Sequence, residues 1–203
     1  MTTKTSILLA TLLAAASPFA GASTNVASGA TVTTAGPGFG ATVGWGGASL
    51  ADPSTVVDGT FLPNAQQWNT GTVFWQGNTP DAADAVTIAL TGAASVTGLT
   101  LQGDNNDIYT VRYEDTAGAW HWLADLGPAN PPANYGMGIA TASVAVTAIA
   151  FDIHATGGDG SFSVSEFQAT GDFLPPVPEP TSALLMLAGL AALGAAARRR
   201  SAR

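Results

Sequence analysis

The chain has no cysteine and little positive charge, with six Lys and Arg against fourteen Asp and Glu in 203 residues. Without cysteine there are no disulfides, so an exported chain of this kind must be held by its core, with or without a bound metal. Lys4 lies near the start and Arg198, Arg199, Arg200 and Arg203 at the end, which leaves Arg112 as the one basic residue between Ser23 and Phe173. That interval holds thirteen acids against this single base, a net charge of −12. Nucleic acid is excluded as a partner, because phosphate binding needs Lys and Arg to displace counterions. An acidic surface instead keeps an exported protein soluble and draws divalent cations. The motifs G-x-S-x-G and H-E-x-x-H are also missing. No helical periodicity of useful length occurs away from the two termini.

The ends carry what the middle lacks. "MTTKTSILLATLLAAASPFAGAS" places Lys4 before an apolar run from Ile7 to Ala16 and closes on Ala20-Gly21-Ala22. A positive start, a short apolar run and small residues at the cut form a secretory signal, so residues 1–22 read as a signal peptide removed by signal peptidase. At the other end, residues 181–197 are uncharged and apolar, seventeen positions at the lower limit for spanning a bilayer. Arg198, Arg199 and Arg200 follow at once, so this segment reads as a transmembrane sorting helix with residues 198–203 as its basic cytoplasmic tail. Pro178-Glu179-Pro180, the apolar helix and the arginine cluster, about 27 residues in all, resemble the PEP-CTERM sorting signal of Gram-negative bacteria. The resemblance implies a transient stay in the inner membrane, processing by an exosortase, and release to the cell surface or extracellular matrix.

Between the ends the period is two. "DAVTIAL" sets Val86, Ile88 and Leu90 on one face, and "TGLTL" sets Leu99 and Leu101 likewise. In "IYTVRY", Tyr109, Val111 and Tyr113 alternate with Thr110 and Arg112. "TAIAFDIHA" points Ile149, Phe151 and Ile153 inward and Asp152 and His154 outward. Turn-forming stretches, "GDNND", "DTAG", "GPANPPANYG" and "TGGDG", separate these segments. Short antiparallel strands of this kind predict an all-β chain with a β-sandwich or jelly-roll core. Residues 23–47 read as a Gly/Thr-rich lead-in or first edge strand, 48–171 as the sandwich, and 172–180 as a Pro-rich spacer.

The order of these pieces resembles the galactose-binding-like jelly roll of discoidin and coagulation-factor type C domains. It is carried by "DPSTVVDGTFLPNAQQWNTGTVFWQG", "AVTIALTGAASVTGLTLQGDNND" and "AVTAIAFDIHATGGDGSFSVSEFQATG". In that family a structural Ca²⁺ is often held by an Asp of the early loop, the Glu of the last strand and backbone carbonyls. The matching positions are Asp58 and Glu166, with Asp52 as a further candidate. The strand itself points the same way: in "SFSVSEF" strict alternation after Phe162 and Val164 would bury Glu166, a charge that calls for a metal or a bulge.

Catalysis finds few candidates. With no cysteine, His121 and His154 are the available bases, and both read as solvent-side strand residues. Of five tryptophans, Trp120 and Trp122 alternate with His121 and read as core. Trp68 and Trp75 fall in the early loop region of the resemblance, and with Asn69 and Arg112 they form the expected sugar-facing set. The resulting expectation is a non-enzymatic surface or matrix protein that binds extracellular polysaccharide. An acidic structural protein and a secreted hydrolase are the alternatives.

Overall fold

The computed structural model describes residues 23–41, 49–64, 66–77, 83–128, 136–176, 185–193 and 198. The strands are β1 (Thr24–Asn25), β2 (Thr31–Ala35), β3 (Val73–Gln76), β4 (Ala85–Asp104), β5 (Ile108–Glu114), β6 (Trp120–Leu126), β7 (Met137–Gly157) and β8 (Ser161–Phe173). A 3₁₀ turn, Pro53–Val57, precedes β3. The two long strands, β4 and β7, organise the molecule. They pair antiparallel, but the register shifts between Ala89 and Ala94, and there both strands leave one layer and enter the other.

The first layer runs β2, the first half of β4, the second half of β7, β5 and β6. In the second, the first half of β7 pairs the second half of β4, which pairs β8, and β1 and β3 share the far side of β8. The chain is thus a two-layered β-sandwich, all-β apart from short turns and a C-terminal helix. Its core lies between the layers, where Phe151 meets Phe167 at 5.2 Å and Trp75 meets Tyr109 at 6.1 Å between ring centroids. Val86, Ile88, Val111, Ile153, Leu101 and Val164 fill the rest. Burying each such side chain stabilises by roughly 1.5–3 kcal/mol.

The period-two segments form strands with their apolar parity inward, as expected. Two inward assignments change at the layer crossing. Ile149 falls between the paired residues Ala148 and Ala150 and is only half-buried, as is Leu90. At a corner the pleat loses its alternation, because the chain is turning from one sheet to the other. Gly103 marks a close approach of another kind: a Cβ there would sit 2.7 Å from the Ser163 carbonyl oxygen and 3.0 Å from the Tyr109 ring. The Tyr109 hydroxyl in turn accepts from the Ser163 N–H at 3.1 Å, standing in for part of the ladder between β4 and β8.

Candidate functional site

Three places bring polar chemistry together. The first joins the 3₁₀ turn to β8. Asp52 is the N-cap of Pro53–Val57, and its Oδ1 accepts from the Ser54 N–H at 2.9 Å and the Ser54 hydroxyl at 2.7 Å. It stands as a cap, which is a sufficient account of an Asp before a Pro-led turn. Asp58 closes the same turn, and Gly59, at φ +84°, swings its N–H onto Glu166 Oε2 at 3.2 Å. The other oxygen of Glu166 accepts from Gln168 Nε2 at 3.1 Å.

Glu166 is 0 % exposed. Its neighbour Phe167 is also buried, because the register with β4 slips beside Gln102 and Gly103 and Ser165 forms a bulge. Burial pushes the Glu166 carboxyl up, and the negative charge of Asp58 adds to that shift. The structure therefore brings Asp58 and Glu166 together and leaves Asp52 in a capping role. A buried carboxylate beside a second, exposed one supplies oxygen donors of the kind Ca²⁺ takes. Gln102, which the sequence does not single out, clamps the adjoining loop. It is buried, accepts from the Leu62 N–H at 2.7 Å and the Ser165 hydroxyl at 2.7 Å, and donates to the Leu62 carbonyl at 2.8 Å.

The expected sugar-facing set comes apart. Trp75 is 1 % exposed, wedged among Phe39, Tyr109 and Phe162. Trp68 is 6 % exposed and stands edge-on to Phe74, while Asn69 is wholly buried. These three belong to the interior and present no surface to a ligand. Trp68 and Trp75 do so because the segment after the 3₁₀ turn folds back as β3 against β8, with Trp75 opposite Phe162.

Arg112 is placed otherwise, on the outer face of the first layer. Its Nε donates to Asp152 Oδ1 at 2.9 Å and its NH2 to Asp152 Oδ2, a two-pronged pair across β5 and β7. The same NH2 lies 3.0 Å from His154 Nε2, which is 3.3 Å from Asp152 Oδ2. With a proton Nε2 donates to Asp152; without one it accepts from Arg112. Burial would push the Asp152 carboxyl up, but the donors of His154 and Arg112 outweigh it and hold the group below its ordinary value. Asp152 and His154 were expected to face solvent. Their parity is outward, yet both are buried, because Arg112 and neighbouring side chains roof them over.

Beside this pair stand the two tryptophans expected in the core. Trp122 is 64 % exposed and Trp120 38 %. The register explains the reversal: Tyr113, an inward residue of β5, pairs His121, so Trp120 opposite Glu114 and Trp122 opposite Arg112 share the outer face. A bulge at Leu123 keeps Asp125 on that face too, where it accepts from the Thr110 hydroxyl at 2.6 Å and the Trp122 indole at 3.3 Å. The guanidinium of Arg112 lies 5.6 Å over the Trp120 ring. Two exposed indoles, a fixed guanidinium and adjacent carboxylates form an amphipathic surface with the chemistry to stack on a sugar ring and hydrogen-bond its hydroxyls. His121 lies apart at the end of the hairpin, 2.7 Å from Asp115 and stacked on Tyr113.

The third place went unread in the sequence. Asp104 at the end of β4 and Asp107 in the following turn lie near Asp159 of the β7–β8 turn. Asp107 Oδ2 accepts from the Tyr109 hydroxyl at 3.1 Å, while its Oδ1 is buried without a partner. Burial, with mutual repulsion added, pushes Asp104 up to about 7 and Asp107 up to about 8. "GDNND" has the composition of an ordinary turn, and only the packing reveals that two of its acids are covered. Among the described residues no group of three or more acids or histidines is disposed to hold a metal.

At the C-terminus residues 185–193 are helical and open to solvent, with Leu185 and Leu193 both more than two-thirds exposed. Among the described residues no helix is long and apolar enough to cross a membrane. Arg198 is exposed, whereas Pro178, Glu179, Pro180, Arg199 and Arg200 lie outside the described residues, as does the signal peptide. Residues 176–200 match the model of the PEP-CTERM protein-sorting motif. The chain carries a PEP-CTERM sorting signal.

Among curated proteins none matches the chain. Among solved structures it is similar to the family 32 carbohydrate-binding module of Streptococcus pneumoniae EndoD, at 15 % identity and a TM-score of 0.46 over 72 % of this chain and 98 % of that one. The family 32 module of Clostridium perfringens NanJ, solved with galactose, aligns at 18 % identity and 0.45 over 73 % and 98 %. A module from a Clostridium perfringens family 31 glycoside hydrolase gives 14 % and 0.47 over 72 % and 96 %.

Proposed function

We propose that this PEP-CTERM protein is exported, cut by an exosortase near Pro178-Glu179-Pro180, and delivered to the cell surface or extracellular matrix of a Gram-negative bacterium. There it acts as a non-enzymatic binder of polysaccharide, through the outer face that carries Arg112, Trp120 and Trp122. One observation carries this reading: two exposed indoles lie on one sheet face beside an arginine that is already locked to Asp152. Exposed aromatic area of that kind on a domain of net charge −12 between Ser23 and Phe173 does not serve folding. The pre-set guanidinium offers donors without losing side-chain entropy on binding.

Affinity electrophoresis against the polysaccharide of the host, backed by a broad glycan panel, tests the binding. Retardation that disappears in Trp122→Ala supports the reading, and silence on every glycan sinks it in favour of an acidic structural protein. Deleting the exosortase tests delivery, since the chain should then stay with the cells and keep its arginine tail.

A structural Ca²⁺ held by Asp58 and Glu166 is the second element of the proposal. The buried Glu166 carboxylate, with the exposed Asp58 close enough to raise it, supports this. A bound cation would offset their repulsion and join the 3₁₀ turn to β8. Calcium at about a hundred times its Kd should add about 2.7 kcal/mol to stability. A melting temperature indifferent to chelator in the wild type would dismiss the metal.

A further inference from the structure

Three rows of side chains cross the outer face of the first layer. Glu114 lies between Trp120 and Ala150, Arg112 between Trp122 and Asp152, and Thr110 between Asp125 and His154. Three acids thus share the face with one Arg. That Arg is already engaged: two guanidinium nitrogens bind Asp152, and the group rests over the Trp120 ring. Glu114, half-buried, and Asp125, exposed, remain at either end of the indoles. Arg112 is the one Lys or Arg between Ser23 and Phe173, so no second one can offset them. Asp125 is also held in place, because its Oδ1 accepts from the Thr110 hydroxyl at 2.6 Å and the Trp122 indole at 3.3 Å.

Resting on the polysaccharide-binding reading of this face, we infer that it selects chains of amino sugars with free, protonated amines and turns away uronate, sulfate and phosphate glycans. Charge and aromatic chemistry agree on the choice. An ammonium is drawn to an indole ring, and Arg112 over Trp120 already shows such a contact on this face. Trp122, the more open indole, offers its ring to a second cation, with the Asp125 carboxylate beside it. An anionic glycan would instead bring like charge against two acids that no base neutralises. Spacing points to a chain and not a single sugar. Glu114 and Thr110, the partner of Asp125, are four residues apart on β5, about 13 Å along the strand. One ring cannot reach both carboxylates, whereas successive units of a polymer can.

The test presents one sugar backbone in two charge states. Titration calorimetry of the full chain uses a β-1,4-linked glucosamine hexamer and its fully N-acetylated counterpart, at a mildly acid pH that keeps amines protonated and exposed carboxylates ionised. The free amine should bind about tenfold tighter, from two exposed ion pairs and a cation–π contact, and the gap should narrow as salt is raised. Asp125→Asn combined with Glu114→Gln should bring the ratio near one, since Asn can still accept from Thr110 and Trp122 and only the charge is lost. Asp172→Asn, on an exposed position of β8 in the other layer, should leave the tenfold ratio in place. Equal affinity for the two hexamers, or tighter binding of an oligogalacturonate, overturns the inference while polysaccharide binding stands. So does a preference that survives the double variant, because it then belongs to the −12 charge of the whole domain. Failure to bind either hexamer or any glycan of a broad panel overturns the underlying reading as well.

Discussion

The two pairs of tryptophans teach opposite lessons from the same residue type. Trp68 and Trp75 lie in a segment that looks like loop, with turn-forming neighbours, and are buried. Trp120 and Trp122 lie in a strand with clean alternation, yet Trp122 is largely open and Trp120 partly so. Alternation says which residues share a face; it does not say which face meets the core. That choice rests with the partner strand: β5 commits Tyr109 and Val111 inward, and the register then sends Trp120 and Trp122 out with Arg112.

The sharpest way to break this contrast is to truncate one member of each pair. Trp75→Ala should cost about 3–5 kcal/mol in denaturant unfolding, because it empties the junction of Phe39, Tyr109 and Phe162. A loss below about 1 kcal/mol would mean that Trp75 is not a core residue.

A pH titration contrasts the covered acids of "GDNND" with the roofed Asp152. For Asp104 and Asp107 the folded values, about 7 and about 8, lie above the ordinary 3.8, so the folded state holds protons that the unfolded chain releases. Their contribution is fully present below about pH 4 and is lost as pH rises to about 8, on the order of a few kcal/mol. Melting temperature should therefore fall from pH 5 to pH 9, and Asp107→Asn should flatten that fall. Asp152 has the opposite sign. Its lowered value gives stability that is present at neutral pH and lost in acid, with Arg112→Ala removing much of it.

Arg112→Lys sharpens the comparison between the exposed indoles and their fixed neighbour. A lysine keeps the charge but cannot reproduce the two-pronged pair with Asp152, so glycan affinity should drop about tenfold while stability falls by about 1 kcal/mol. Trp122→Ala should produce the smallest change in stability, within about 0.5 kcal/mol, and still abolish glycan retardation. Equal losses of stability in the two tryptophan variants would erase the distinction between the pairs.

Much of the architecture was legible in the chain. Val86, Ile88, Leu101, Val111, Phe151 and Ile153 all point inward as their alternation requires. The conflict at Glu166 was visible as well, since a carboxylate on an apolar parity next to Phe167 calls for a metal or a bulge, and the register with β4 slips at Ser165. The proposed binding face was only half legible. Arg112 stood out as the lone interior base, but its companions did not. Trp120, Trp122, Asp152 and His154 come from two strands far apart in sequence, and only the β5 pairings place them around it.

What the sequence determined by itself is whatever short-range order and composition control: two apolar ends with their charges, a PEP-CTERM signal, a disulfide-free acidic domain, and strands with a known inward parity. The tertiary structure decided which outward residues would be roofed and which left open, where β4 and β7 cross between layers, and which acids would meet. Those outcomes depend on register between distant strands, where a shift of one residue moves every side chain to the opposite face.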